Sequence, residues 1–403
     1  LQGDSTTLTA TEMQEFEDFL ATITYPPNPK RNFDNTMPTN LTLTGHFKTG
    51  RFGGAGTALP VGRPNTGLAL YRRRSPVFQP NGPLDGGAFA CVTCHTLPTG
   101  TGPDMTVTGG IFQTIPAGPK GERHHGLVAV DGSTNIAIKV PQIRNIAEKV
   151  GFNTTKTSNN AGFGYLHDGS VDSIERFVSE PAFNVANDQE VADLVAFMLC
   201  FSGSDLPAGT TNPNPFPPEP PGTASKDTHA AVGVQTTLVS AAAPEPGQVT
   251  LIASMITQAN TGKVGLIVKG KQGGEQRGYT YIGGSIFQSD RAGETISAAQ
   301  LQAAAASGSE LTYTVVPAGT QTRMGIDRDS DSVLDGDEAP PCGSADFDGD
   351  GDTGTDADIE AFFACMGGNC CGTCGSADFN ADGDTGTDLD IEAFFRVLGG
   401  GTC

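Results

Sequence analysis

The sequence predicts a multidomain chain: a mainly α domain with long loops over residues 1–203, a Pro-rich linker at 204–226, a small α+β domain at 227–326, and a disulfide-rich acidic tail at 327–403. Three observations predict it. Seven prolines crowd residues 204–226, including Pro217-Pro218-Glu219-Pro220-Pro221, which makes a semi-rigid spacer. Apolar residues follow helical spacing near both ends of the first segment, then turn to strand-like runs after 260. The tail holds sixteen Asp and three Glu against Arg328 and Arg396, so −17 of the net charge of −21 lies there, with six of the nine cysteines.

Within residues 1–203, a helix is predicted at 12–23, with Met13, Phe16, Leu20 and Ile23 on one face and Thr9 with Glu12 as a capping box. Pro26-Pro27-Asn28-Pro29 stops it. From about 31 to 140 the chain is rich in Gly, Thr and Pro with little periodicity, which predicts irregular loops packed on a large apolar group. Helices follow at 172–179 and 187–201. The second has Asn187 and Glu190 at N-cap and N3, and Val191, Leu194, Val195 and Met198 on one face. Residues 227–326 read as helices at 248–259 and 296–306 with strands at 263–269, 278–288 and 309–316. That segment shows no nucleophile-base pair, phosphate loop or metal cluster, and its expected role is structural or docking.

Inside the loop region lies Cys91-Val92-Thr93-Cys94-His95. C-x-x-C-H attaches haem c: each thiol adds to one vinyl group, and the adjacent histidine becomes the proximal iron ligand. A zinc half-site would need a second ligand pair at matching spacing, and a redox dithiol a preceding βαβ pattern; neither is visible. One covalent haem c is therefore expected. Candidates for the sixth iron position are His167, Met105, His46 and the pair His124-His125, with His167 as first choice and a hydrogen-bonding role for His167 and Asp168 as the alternative; His124-His125 read first as a surface loop beside Arg123, and His46 has no supporting context. Because haem c is attached after export, Leu1 is expected to begin a processed or excerpted chain, at the cell surface, outside the cell or in a periplasm. A hydrophobic content of 37%, no Trp, 54 Gly and 27 Pro fit a loop-rich exported protein. No apolar run is long enough to span a membrane. The acidity excludes nucleic acid and anionic membranes as partners and favours bound cations.

Lys139-Val140-Pro141-Gln142-Ile143-Arg144-Asn145-Ile146, followed by Tyr165-Leu166-His167-Asp168-Gly169-Ser170 and the helix from Ile174 to Val178, resembles the second haem domain of bacterial dihaem cytochrome c peroxidases over about residues 88–201. The resemblance implies a cytochrome c-like fold for the first domain. In that family a methionine after the HDG element ligates the high-potential haem; here Ser179-Glu180-Pro181-Ala182-Phe183 has none, and the chain has a single C-x-x-C-H.

In the tail, Asp327, Asp329, Asp331, Asp335 and Glu338 follow the EF-hand loop spacing at positions 1, 3, 5, 9 and 12, with Ser332 where the sharp turn usually takes glycine. Two further loops, offset by 32 residues, run Asp346, Asp348, Asp350, Asp352 to Asp358 and Asp378, Asn380, Asp382, Asp384 to Asp390, each leading into Ile-Glu-Ala-Phe-Phe. Each resembles a dockerin half, a calcium loop running into a short helix, and in such families the module serves interaction. Asp356 and Asp388 compete with Asp358 and Asp390 as closing ligands. Up to three Ca²⁺ are expected. The repeat offset suggests disulfides Cys342–Cys371, Cys374–Cys403 and Cys365–Cys370, among fifteen pairings open to six cysteines. Cys200 is expected to be a buried free thiol.

The sequence thus predicts an exported monohaem c-type cytochrome that passes single electrons to a redox partner or a neighbouring haem subunit. Its calcium-stabilised tail would serve docking or self-assembly as a homo-oligomer or surface array. A haem peroxidase-like oxidoreductase, with His167 and Asp168 as an acid/base pair, and a structural subunit of an extracellular cytochrome assembly are the alternatives.

Overall fold

The computed structural model describes residues 9–46, 50–72, 90–100, 105–108, 111–114, 126–128, 137–139, 141–151, 164–166, 169–181, 183–202, 206, 209, 219–222, 229–338, 343–381 and 384–401. The chain forms two compact units, one of Leu1–Ser289 with Thr295–Gly325, the other of Asp290–Glu294 with Ile326–Cys403.

The first unit has two apolar cores. Around the first stand helices α2 (Pro64–Tyr71), the single turn α3 (Cys91–Cys94), α4 (Ile174–Val178) and α5 (Asp188–Leu199), whereas α1 (Ala10–Thr22) contributes nothing to it and leaves Phe16, Phe19 and Leu20 exposed. Thr9 and Glu12 form the expected capping box of α1, and the Asn187 side chain caps α5 by accepting from Glu190 N–H. α5 is almost wholly buried and organises the core. Its C-terminal carbonyls are closed from a distant segment: Asn28 Nδ2 donates to Leu199 O (3.1 Å) and Arg31 to Cys200 O (3.2 Å), a cation at the negative end of the helix dipole. α2 crosses α5 at Gly67. A Cβ there would lie 1.9 Å from Asp193 O, so only glycine permits the approach. Arg63, at the N-cap of α2, grips Asp193 with Nε and Nη2 at 3.1 and 2.6 Å.

The second core is built on a six-stranded antiparallel sheet of order β5-β10-β6-β7-β8-β9, with β5 Gln235–Leu238, β6 Val264–Gln272, β7 Glu275–Gly283, β8 Ile286–Ser289, β9 Thr295–Ser297 and β10 Leu311–Pro317. Helices α6 (Gln248–Asn260), α7 (Ala298–Ala303) and α8 (Gln321–Gly325) pack against it. Residues 264–268 are buried consecutively because both faces of β6 are covered, which explains their unbroken apolar run. The predicted strand at 278–288 is two strands, broken where Gly283, Gly284 and Ser285 take positive φ.

The mainly α expectation is overturned. The sheet is the largest assembly of secondary structure among the described residues, and the stretch read as irregular loops contains two antiparallel hairpins, β1 (Met105–Thr108) with β2 (Ile111–Thr114) and β3 (Gly126–Val128) with β4 (Ala137–Lys139). Met-Thr-Val-Thr and Ile-Phe-Gln-Thr are short and β-branched, too brief for a periodicity window to register, yet each finds a partner across a glycine-rich link.

The second unit repeats itself. Helices α9 (Asp356–Met366) and α10 (Asp388–Leu398) are 32 residues apart, and Phe347, Phe362, Phe379 and Phe394 form its centre. Phe362 stacks on Phe394 with centroids 4.1 Å apart and planes 11° apart. The repeats exchange equivalent bonds: Gly343 N–H donates to Phe379 O and Gly375 N–H to Phe347 O, both at 2.9 Å. The 32-residue offset seen in sequence is thus a local two-fold relation in space. No helix among the described residues is long and apolar enough to cross a membrane.

Candidate cofactor and cation sites

α3 carries Cys91 and Cys94 one turn apart, with His95 as its C-cap residue. Helical rise brings positions i and i+3 onto one face, so both sulfurs lie on the same side of the turn. Neither cysteine is in a disulfide. Burial raises the Cys94 thiol pKa, keeping it protonated at neutral pH. His95 is partly buried. Burial lowers its pKa, outweighing the opposite pull of the Gly100 and Pro141 carbonyls, so the ring is neutral. Its Nδ1 lies 3.2 Å from Gly100 O; with Nδ1–H donating there, Nε2 carries the lone pair a metal takes.

The scaffold positions this turn from two sides. Tyr71, at the end of α2, donates its hydroxyl to His95 O and is fully buried against Phe197 of α5 (centroids 4.9 Å). Gly100, at φ +70°, packs against Ile143 and Phe201, leaving no room for a Cβ, and its carbonyl also accepts Ile143 N–H. The α5–α2–Tyr71 path was not legible in the sequence, although Pro64 at the first helical position before an apolar Leu68-Ala69-Leu70-Tyr71 was the signal that marks α2.

Near this turn Thr99 Oγ1 is buried without a hydrogen-bond partner, and Tyr165 OH and Glu175 Oε1 are likewise unpartnered on the side of His46 and the start of α5. Buried polar groups are normally satisfied, so such orphans call for a polar group that the protein alone does not supply. Val92, Leu97, Ile143 and Ile146 line the adjoining apolar core, with Cys91, Tyr165 and Phe177 packed on it. Two thiols, a neutral anchored imidazole and apolar walls are a set that fits haem c.

His167 and Asp168 lie outside the described residues, as do His124 and His125; of Met105 only the backbone is described, at the start of β1. His46 is corrected as a sixth-ligand candidate. Its ring is buried, Nε2 faces Asp188 Oδ1 at 3.1 Å, and Gly50 and Gly53 close over it, so it anchors the start of α5.

In the first tail loop, ligand oxygens of Asp327, Asp329 and Asp331 lie within 4.8 Å of one another. Asp327 is buried with Oδ1 unpartnered, and Glu338 presents a buried, unpartnered Oε1. Burial, then the carboxylates of Asp329 and Asp335, raise the Glu338 pKa against the opposing pull of Arg328, whose Nη2 lies 3.8 Å from Glu338 Oε2. Asp335 is engaged instead by Arg328 N–H at 2.9 Å. Ser332 sits at φ +78°, the left-handed turn where this loop type usually has glycine.

In the second loop, Asp346, Asp348 and Asp358 group within 4.8 Å, and Asp346 Oδ1 is buried and unpartnered. Asp358 has a further role that the ligand pattern hid. As N3 of α9 it accepts Thr355 N–H and hydroxyl on Oδ2 (2.8 and 2.9 Å) and Phe347 N–H on Oδ1 (2.7 Å), joining both ends of the loop. Burial pushes its pKa up, and these bonds more than reverse it, holding the carboxyl below the usual range. Asp390 repeats the arrangement with Thr387 and Phe379. Asp350, Asp352 and Asp384 are exposed, Asp378 and Asn380 are half-buried, and Asp382 lies outside the described residues.

The disulfides correct the expected pairing. Cys365 joins Cys370 as read, but Cys371 joins Cys374, in place of Cys342–Cys371 and Cys374–Cys403. Adjacent cysteines in one turn meet sooner than cysteines a repeat apart. Cys342 and Cys403 lie outside the described residues. Cys200 is a buried thiol whose pKa burial pushes up to about 12.

No protein-family model matches this chain, no curated protein is significantly similar to it, and no solved structure resembles it.

Proposed function

We propose that the chain is an exported monohaem c-type cytochrome that transfers single electrons, with a divalent-cation-stabilised tail for docking or self-assembly. The observation that carries the proposal is His95: neutral, anchored through Nδ1 to Gly100 O, and placed at the end of a helical turn bearing two thiols on one face. Cys91 and Cys94 would hold the haem by thioether bonds and His95 would ligate its iron; when bound, the haem supplies a reversible one-electron couple. The protein's part is to fix the imidazole through Gly100 and Tyr71 and to wall the site from water with Val92, Leu97 and Ile143. Ring orientation and exclusion of water both tune an iron centre. In the tail, Asp327, Asp329, Asp331 and Glu338, and separately Asp346, Asp348 and Asp358, would hold Ca²⁺. The Cys365–Cys370 and Cys371–Cys374 bridges support an oxidising destination.

The test is expression with haem-attachment machinery, followed by spectra of the oxidised and reduced protein. Haem that survives denaturation and extraction, and is lost in Cys91→Ala/Cys94→Ala, supports the proposal. Absence of covalent haem overturns it.

A further inference from the structure

The turn between β8 and β9, Asp290–Glu294, groups with the tail rather than with the sheet whose strands it joins. It is held there by the first acidic loop. Gly336 N–H donates to Asp290 O at 2.7 Å, and Ala292 N–H donates to Asp337 Oδ2 at 2.6 Å. The fit is close. A Cβ at Gly336 would lie 2.8 Å from Asp290 O and 2.9 Å from Arg291 Cγ, so the loop takes this seat only with glycine there. Asp290 is 3% exposed, in a turn whose other residues are exposed or half-buried.

The residues that make this contact are not the ones that converge on a cation. Gly336 and Asp337 fill positions 10 and 11 of the loop, directly before Glu338, whereas the clustered oxygens belong to Asp327, Asp329 and Asp331. Two of the acidic groups are left incomplete by the protein: Asp327 is 7% exposed with Oδ1 unpartnered, and Glu338 keeps a buried, unpartnered Oε1. Buried carboxylate oxygens without donors are costly, and carboxylates within 4.8 Å of one another repel. A divalent cation answers both. To share it with Asp327, Glu338 has to be fixed in place, and the two residues just before Glu338 are those seated on the turn.

From this arrangement we infer that the cation of the 327–338 loop regulates the contact: bound, it fastens the loop to the β8–β9 turn, and its removal releases the turn. The inference rests on the cation reading of this loop given above and adds what the cation controls. Because binding and contact are coupled, each strengthens the other by the same factor.

The experiment is hydrogen exchange read by mass spectrometry on the full chain, titrated with Ca²⁺ from chelator to about 10 mM, above the range of the weakest extracellular calcium modules. Peptides covering 326–338 read occupancy of the loop, and peptides covering 286–297 read the turn. Both are expected to respond with one midpoint, and exchange in the turn should slow about tenfold, the scale of two net hydrogen bonds. Asp327→Asn removes the buried ligand and should abolish the response of the turn while that of 343–401 persists. Asp337 is exposed and outside the ligand set. Asp337→Ala should bind Ca²⁺ in this loop about fivefold more weakly than Asp337→Asn, which removes the same charge but keeps an acceptor for Ala292 N–H. Protection of 326–338 with no change at the turn, or equal affinity in the two Asp337 variants, overturns the inference and leaves the cation reading standing. No response of 326–338 to Ca²⁺ overturns both.

Discussion

Asp358→Ala should unfold the first tail repeat, and the structure gives the size of the effect. The Asp358 carboxylate is fully buried and accepts Phe347 N–H, Thr355 N–H and the Thr355 hydroxyl at 2.7–2.9 Å. Truncation removes a helix cap, worth about 1 kcal/mol, and strands two backbone N–H groups at about 1–3 kcal/mol each if water cannot reach them. The expected loss is about 3–7 kcal/mol. A unit of this size has a total stability of about 4–12 kcal/mol, so the variant sits near or past its midpoint. Hydrogen exchange read by mass spectrometry on the full chain is the assay, because it separates the units. Amides of 343–368 should lose protection most, those of 375–400 should lose part of theirs through Phe362 and Phe394, and the sheet should be unaffected. Asp358→Asn keeps one acceptor oxygen and should recover part of the loss without restoring cation affinity. A cost below about 1 kcal/mol for Asp358→Ala, with unchanged exchange, would refute the latch argument.

Gly67→Ala should separate α2 from α5, since the new Cβ would sit 1.9 Å from Asp193 O; a loss of about 3 kcal/mol in urea unfolding is expected, with Tyr71 drawn away from His95. Glu175 is buried with an unpartnered Oε1, and burial raises its pKa above the ordinary 4.5. A raised acid pKa favours the fold below the unfolded value and forfeits that contribution as pH rises through the folded value. Glu175→Gln should therefore match the parent near pH 4 and exceed it by about 1 kcal/mol at neutral pH, measured on haem-free protein by thermal unfolding across pH. Ala381 occupies φ +58° where the first repeat has Gly349 at φ +76°; Ala381→Gly should stabilise the tail by about 0.5 kcal/mol, the relief of left-handed strain less glycine's entropy cost, read as a rise in the tail's melting temperature.

What the sequence revealed follows from interaction range. The capping box at Thr9, the N-cap at Asn187 and the Asp-rich loops are local, and residues three or four apart specify them directly. The 32-residue repeat was equally plain, but not what Asp358 and Asp390 do, because a carboxylate at that spacing suits both a cation and a helix cap. The pairing of β10 with β5 and β6 and the partner of His46 join residues 41 to 142 positions apart, which no window of sequence contains; the hairpins at 105–139 are local but too short for a periodicity to register. Gly67 and Gly100 looked like loop residues; each is glycine because another element lies against it.

Most direct for the central claim is the intact mass of the denatured protein after maturation with haem-attachment machinery, recorded beside its reduced absorption spectrum. One haem retained through denaturation, halved in thioether count by Cys91→Ala or Cys94→Ala alone, is the predicted result. A protein that matures and folds without covalent haem, with Cys91 and Cys94 both alkylated by iodoacetamide, would contradict it.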